Sequence, residues 1–299
     1  MESLKYIDFD KKFDALKNIP SFGVAGNFTG HLEQAGEARD FANMKTESAN
    51  APKALFPTYI PNKGPAPEFL QVYPFDCEKI IFPKNEEKIQ IEPECAILCD
   101  LIWENGFVEK VTPQYFFASN DCSIRKDGAR KISEKKNWGK SSKGISTHFL
   151  KIDNFLPGGV MDGYRIASFL LRDGQIFDYG EDSRVMDYSY FYGQLLDWIK
   201  NKLNNQADEG PAENLHEYLT GNKEKGLVME QNLPSQVLIS IGATRYTAFG
   251  ESNFLKTGDE AVVVVYPESE FSHEELSAYI AKKAALPKTV SCLYQKIVV

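Results

Sequence analysis

Apolar and polar positions change rhythm several times along the chain, and each rhythm predicts an element. Apolar residues, many of them β-branched, dominate residues 88–99, 164–171, 237–241 and 260–266, with the lengths expected of strands. The tetrapeptide RDGQ at 172–175 reads as the turn of a hairpin leaving the second of these runs. Leu195, Leu196, Ile199 and Leu203 recur at helical spacing, which predicts a helix over 192–203. A second helix is expected over 272–285, where Ser272 is followed three residues later by Glu275, the pattern of a capping box. Seven prolines between positions 51 and 83 restrict that stretch to loop and short edge strand. The polar stretch 204–225 reads as an insertion or a mobile surface loop. Many short strands with few helices predict the α+β class, a mainly β mixed roll rather than a doubly wound parallel sheet.

Composition narrows the class. The 299 residues are 42% hydrophobic and 25% charged, ample material for a buried core. A net charge of -8 argues against a nucleic-acid partner, because phosphate affinity comes from lysine and arginine. The longest aliphatic run, 262–265, is too short to cross a bilayer, and the opening MESLKYIDFDKKFDALKNIP lacks the apolar run of a secretory signal. A cytoplasmic protein with no membrane partner is expected. Five cysteines, mostly within strand-like segments, suit reduced buried thiols, and the NFT sequon at 27–29 is then accidental. Cys95, Cys99 and Cys122 lack the spacing of a zinc site. The GKSS at 139–142 is not a phosphate loop, since Glu134 stands where the motif needs glycine. Eight lysines and arginines between 125 and 143 read as solvated surface or as a lid over an anionic substrate. His148, His216 and His273 have no partners at ligand spacing and are expected in surface or core roles.

The chemistry begins at IEPECAIL. On a strand, Glu92 and Glu94 point to one face, and Pro93 between them marks an edge or bulge because it donates no ladder hydrogen bond. Asp121 follows in SNDCSIRK, and Lys140 in NWGKSSKG. Two glutamates and an aspartate form an all-oxygen set suited to a hard cation such as Mg2+, with Mn2+ or Ca2+ as variants.

In this order the segments resemble the fumarylacetoacetate hydrolase family. SFGVAGNFTGHLEQAGE at 21–37 is similar to the family's G-x-N-Y-x-x-H-x-x-E segment, IEPECAIL to its E-x-E strand, SNDCSIRK to its N-D-x-[ST]-x-R element and WGKSSKG to its G-K-S motif. SIGATRYTAFGESNFLKTGDEAVVVV resembles its closing strand pair. The resemblance implies an α+β fold of that family's type, a mixed β-sandwich roll. It divides the chain into a lead-in at 1–20, a catalytic region at 21–267 and an extension at 268–299.

The resemblance further implies Glu92, Glu94 and Asp121 as metal ligands, Lys140 as the cationic catalytic residue, His31 as general base and Thr244 as a contact for a substrate carboxylate. Arg245, beside Thr244, has the fork to grip a carboxylate itself. The expected substrate is a small 2-oxo or β-diketo acid, the expected cofactor Mg2+ or Mn2+, and the expected assembly a homodimer, with the aromatic cluster at 187–193 part of an interface. Two departures stand out. Gln34 occupies the position where hydrolytic members carry a glutamate three residues after the histidine, and Thr244 is not followed by proline. The first shifts weight from hydrolysis towards decarboxylation, tautomerisation or dehydration. The alternative is a non-catalytic, metal-dependent protein that binds a carboxylate ligand.

Overall fold

Among the described residues, valine- and isoleucine-rich runs pair into two large sheets that share one core, with a separate two-stranded ladder of Ile89–Gln90 and Ser123–Ile124. The structure, a computed structural model, describes residues 5–42, 44, 46–48, 50–61, 64–221 and 233–299. The larger sheet has nine strands, and its main path runs Tyr6–Asp8, His148–Lys151, Phe107–Asn120, Pro93–Glu104, Gln236–Ala243, Ser21–Ala25 and Ala54–Tyr59. Along that path only Gln236–Ala243 and Ser21–Ala25 are parallel. The second sheet orders Gln175–Arg184, Tyr164–Arg172, Glu260–Pro267, Ser291–Val298 and Lys79–Ile81. This is the expected mainly β, α+β architecture with few helices.

The two-residue period of a strand explains how the sheets are covered. Ile97, Phe116 and Ile239 of the large sheet meet Ile166, Val263 and Leu293 of the small one in the central core. The alternate residues Val262, Val264, Ala167 and Phe169 face outward, where Leu276 and Ile280 of the helix His273–Ala281 cover them. A run of consecutive valines is therefore a strand buried on both faces. The RDGQ hairpin forms as expected, with Arg172 paired to Gln175. Ser272 and Glu275 close the capping box, but the helix stops at Ala281 rather than running to 285, and the chain turns back through Lys283 at φ 51° to feed Ser291–Val298. The 268–299 segment is thus built into the second sheet.

His273 ties that helix down. Its Nδ1 lies 2.7 Å from Asp182 and its Nε2 3.0 Å from Asp178, and these hydrogen bonds, Asp182 first, push its pKa up to about 9 from 6.5. A raised pKa means that the charged pair stabilises fully below pH 6.5 and that its contribution is lost as pH rises towards 9. The melting temperature of the wild type is expected to fall across that window more steeply than that of His273→Gln; parallel curves would remove His273 from the account.

Two expectations change. Within 204–225, Gln206 is buried with its amide bonded to both the N–H and the carbonyl of Leu55, and Leu215–Thr220 is helical, so 204–221 is an ordered brace; 222–225 lie outside the described residues. The aromatic cluster turns inward: Tyr188, Tyr190 and Phe191 are buried in the chain's own core. The proline-rich stretch supplies the expected short edge strand, Ala54–Tyr59, and all its residues are buried, with the Leu55 backbone held by Gln206. Cys95, Cys99 and Cys122 are buried free thiols, with Cys122 pushed up to about 12 by burial. Among the described residues no helix is long and apolar enough to cross a membrane.

Candidate metal centre and active site

The strands Pro93–Glu104 and Phe107–Asn120 pair so that Pro93 faces Asn120 and Glu94 faces Ser119. Where this ladder ends, side chains continue the tie. Asn120 Oδ1 accepts the Glu92 N–H at 3.1 Å, and the Asp121 N–H donates to the Glu92 carbonyl at 3.0 Å. Glu92, Glu94 and Asp121 therefore project into one volume, each offering an oxygen within 4.8 Å of the others, and all three are buried. Pro93 has no N–H to donate, and its carbonyl accepts the Thr244 N–H at 3.1 Å. Gly242 donates its N–H to Glu94 Oε2 at 2.8 Å. Its φ of +124°, and the 3.0 Å that would separate an added Cβ from the Asn27 Cβ, leave room for glycine alone. Asn27, the sequon residue, is itself buried and bonded to the backbone of Tyr190 and Ile241.

Cations fill the space around the triad. Lys136 Nζ lies 2.5 Å from Glu92 Oε2 and 2.9 Å from Asp121 Oδ2, and Lys143 Nζ lies 2.7 Å from Asp121 Oδ1. Arg125 reaches Glu92 Oε1 and Glu37 Oε1, both at 2.7 Å, while its remaining N–H groups bond to Gln90 and the Tyr246 hydroxyl. The contacts on Glu92 Oε1 and Asp121 Oδ2 are close but off hydrogen-bond alignment, so they act as ion pairs. Burial alone would raise the Glu92 pKa, but Lys136 and Arg125 hold it well below the usual carboxylate range. Glu94 has no such partner: burial, then Asp121 and Glu92, push it well above that range. Burial pushes Lys143 down.

His31 stands across from the carboxylates on the short helix His31–Gln34. It is 4% exposed, its Nδ1 has no hydrogen-bond partner among the described residues, and burial lowers its pKa, which keeps the imidazole neutral at pH 7. With Glu37, Phe56, Glu92, Glu94 and Lys136 it lines a cavity of about 10 Å³, room for about one water molecule. Gln34 does not orient His31. It clamps Tyr246 instead, accepting its N–H at 2.8 Å and donating to its carbonyl at 3.1 Å.

Other expected residues fall elsewhere. Lys140 is exposed in the loop that follows the helix Ser133–Lys136, while Lys136 and Lys143 on either side of it point inward. Arg245 lies at the surface, 48% exposed, and is paired with Glu181 at 2.6 Å. The Thr244 hydroxyl is buried without a partner beside Gly180, and Ala243, its neighbour, lines the cavity. The basic run 125–143 is thus not simply solvated surface, since Arg125, Lys135, Lys136 and Lys143 are all turned into ion pairs. Sequence reasoning missed Lys136, Arg125 and Glu37 because charged residues among other charged residues carry no periodic signal of burial. The one available hint was that Arg125 sits inside the N-D-x-[ST]-x-R element.

Comparison with known proteins places the fold. A putative fumarylacetoacetate hydrolase family protein from Yersinia pestis CO92 superposes with a TM-score of 0.52 at 12% identity, covering 94% of each chain. A putative HpcE protein from Mycobacterium smegmatis gives 0.50 at 15% identity, over 93% of this chain and 74% of that one. A 2-keto-3-deoxy-D-arabinonate dehydratase complexed with magnesium and 2,5-dioxopentanoate gives 0.50 at 13% identity, over 94% and 73%. Identities this low establish a shared fold, that of the fumarylacetoacetate hydrolase proteins. No curated protein matches by sequence. A family model described as a family of unknown function, DUF5718, matches residues 37–297, most of the chain, and the protein belongs to that family.

Proposed function

We propose that the chain is a divalent-cation-dependent enzyme acting on a small 2-oxo or β-diketo acid by carbon–carbon hydrolysis, decarboxylation, tautomerisation or hydration and dehydration. The observation that carries this is the buried meeting of Glu92, Glu94 and Asp121 beside a neutral histidine. Their all-oxygen donor set fits Mg2+ or Mn2+, with Ca2+ as a variant. Such an ion, when bound, polarises a keto oxygen as a Lewis acid. The chain's own residues supply the rest. The ammonium group of Lys143 is fixed against Asp121 at 2.7 Å, where it can hold a developing negative charge or return a proton. His31, with Nδ1 free, is in the protonation state that accepts a proton.

Within this reading, the clamp made by Gln34 favours proton transfer and elimination over water activation, because no carboxylate hydrogen-bonds His31 to support an imidazolium. A shared fold with a dehydratase that holds magnesium and a dioxo acid supports the same direction. A cavity of about 10 Å³ admits no such acid, so turnover requires residues 26–42 to lift, parting Gln34 from Tyr246 and Glu37 from Arg125. If that segment stays closed, the protein is the alternative, a carboxylate-ligand binder without turnover. A homodimer is part of the proposal, and sedimentation tests it.

Calorimetry with Mg2+ and Mn2+ is the decisive experiment. Wild type is expected to bind more tightly when oxalate, a mimic of an oxo acid, is present. Glu94→Ala, which removes a ligand but no ion-pair partner, is expected to lose about tenfold or more in affinity. Turnover of acylpyruvates or oxaloacetate would then separate enzyme from binder. Binding indifferent to Glu94→Ala would sink the metal-centre reading.

A further inference from the structure

Among the described residues, Lys136 is the one cation that touches two members of the triad. Its ammonium bridges Glu92 Oε2 at 2.5 Å and Asp121 Oδ2 at 2.9 Å, joining the residue just before the strand Pro93–Glu104 to the residue just after Phe107–Asn120. Lys143 and Arg125 each touch a single member, on the oxygens Lys136 leaves free. The Lys136 side chain is 3% exposed and packs with its charge 5.1 Å from the Phe56 ring centroid, so this is a built position rather than a surface lysine resting on an acid. Every oxygen of Glu92 and Asp121 therefore has a cation within 2.9 Å. Glu92 and Asp121 are two of the three carboxylates that would hold a divalent ion, and Lys136 stands in the place between them. Two positive charges cannot hold it together in a buried site without strong mutual repulsion.

We propose that Lys136 is the resident cation of this centre: its ammonium holds the place between Glu92 and Asp121, and a divalent ion binds only by displacing it. The inference rests on the reading of the triad as a cation site. It adds that metal occupancy is opposed by the chain itself. Glu37 lines the same cavity as Lys136 and offers the displaced ammonium a carboxylate to turn towards. Binding of the ion and movement of Lys136 into the cavity beneath His31 are then one event.

The test is Mn2+ affinity, measured by calorimetry and by the electron paramagnetic resonance of free Mn2+, on wild type, Lys136→Met and Lys136→Arg. Lys136→Met, without the competing charge, is expected to bind Mn2+ about tenfold or more tighter than wild type and to gain more in melting temperature when Mn2+ is added. Lys136→Arg keeps the charge and is expected to bind no tighter than wild type. Should Lys136→Met give no folded protein even with Mn2+ present, Lys136→Gln, which keeps hydrogen-bond donors but no charge, carries the same comparison. Equal or weaker binding by the neutral variants would overturn the inference, and if wild type still binds in a Glu94-dependent way the metal-centre reading survives alone. Binding by none of the proteins would overturn both.

Discussion

Asp121→Ala is expected to lower the stability of the protein by about 3–5 kcal/mol, the usual cost of removing one partner from a buried ion pair. Asp121 is 2% exposed and receives Lys143 on one oxygen and Lys136 on the other. Without it, the buried Lys143 ammonium keeps the Cys122 carbonyl at 2.7 Å and the face of Trp138 at 5.9 Å, neither of them charged. Urea denaturation of wild type, Asp121→Ala and Lys140→Ala measures the difference. Lys140 is exposed, so its replacement is expected to fall within about 0.5 kcal/mol of wild type. A double variant, Asp121→Leu with Lys143→Met, removes both charges and is expected to be less destabilised than the two single changes summed. Equal, small losses for Asp121→Ala and Lys140→Ala would show that the charged cluster contributes nothing to folding.

The second large effect is expected at Arg125. Its guanidinium spends its fork on four residues: Glu37 on the segment covering the cavity, Glu92 in the triad, Gln90 and the Tyr246 hydroxyl. Arg125→Met leaves Glu37 and Glu92 with fewer cations, costs about 3 kcal/mol, and releases the tether of the covering segment. Arg125→Lys restores the charge but not the geometry, because a point charge cannot satisfy a planar fork. Both variants are therefore expected to show faster hydrogen exchange over residues 31–42 than wild type, with the Met variant also less stable. Wild-type exchange in Arg125→Lys would mean that charge alone holds the segment down.

These effects are large for the reason that makes them hard to foresee. The strands were legible because a strand buried on both faces leaves an unbroken apolar, β-branched run in the sequence, as at 260–266, whose strand forms at Glu260–Pro267. The helices at 192–203 and 272–285 were legible from their period and from the Ser272 cap, although the second ends early because the chain must return to the sheet. The carboxylates Glu92, Glu94 and Asp121 were legible as a group from the order of their segments, and the fold brings their oxygens together. The cations were not. Lys140 was the natural choice from its motif, yet the loop carries it outward and presents Lys136 and Lys143 instead.

By itself the sequence determined the class of fold and the strands that carry it, because hydrophobic patterning acts over a few neighbouring residues, while the grouping of Glu92, Glu94 and Asp121 came from the resemblance of their segments to a known family. Only the tertiary structure decided which charges are buried and which oxygens they meet. That choice depends on contacts between residues as far apart as Glu92 and Lys136, or Gln34 and Tyr246, where the energy of an ion pair or a hydrogen bond is set by distance and burial rather than by position along the chain.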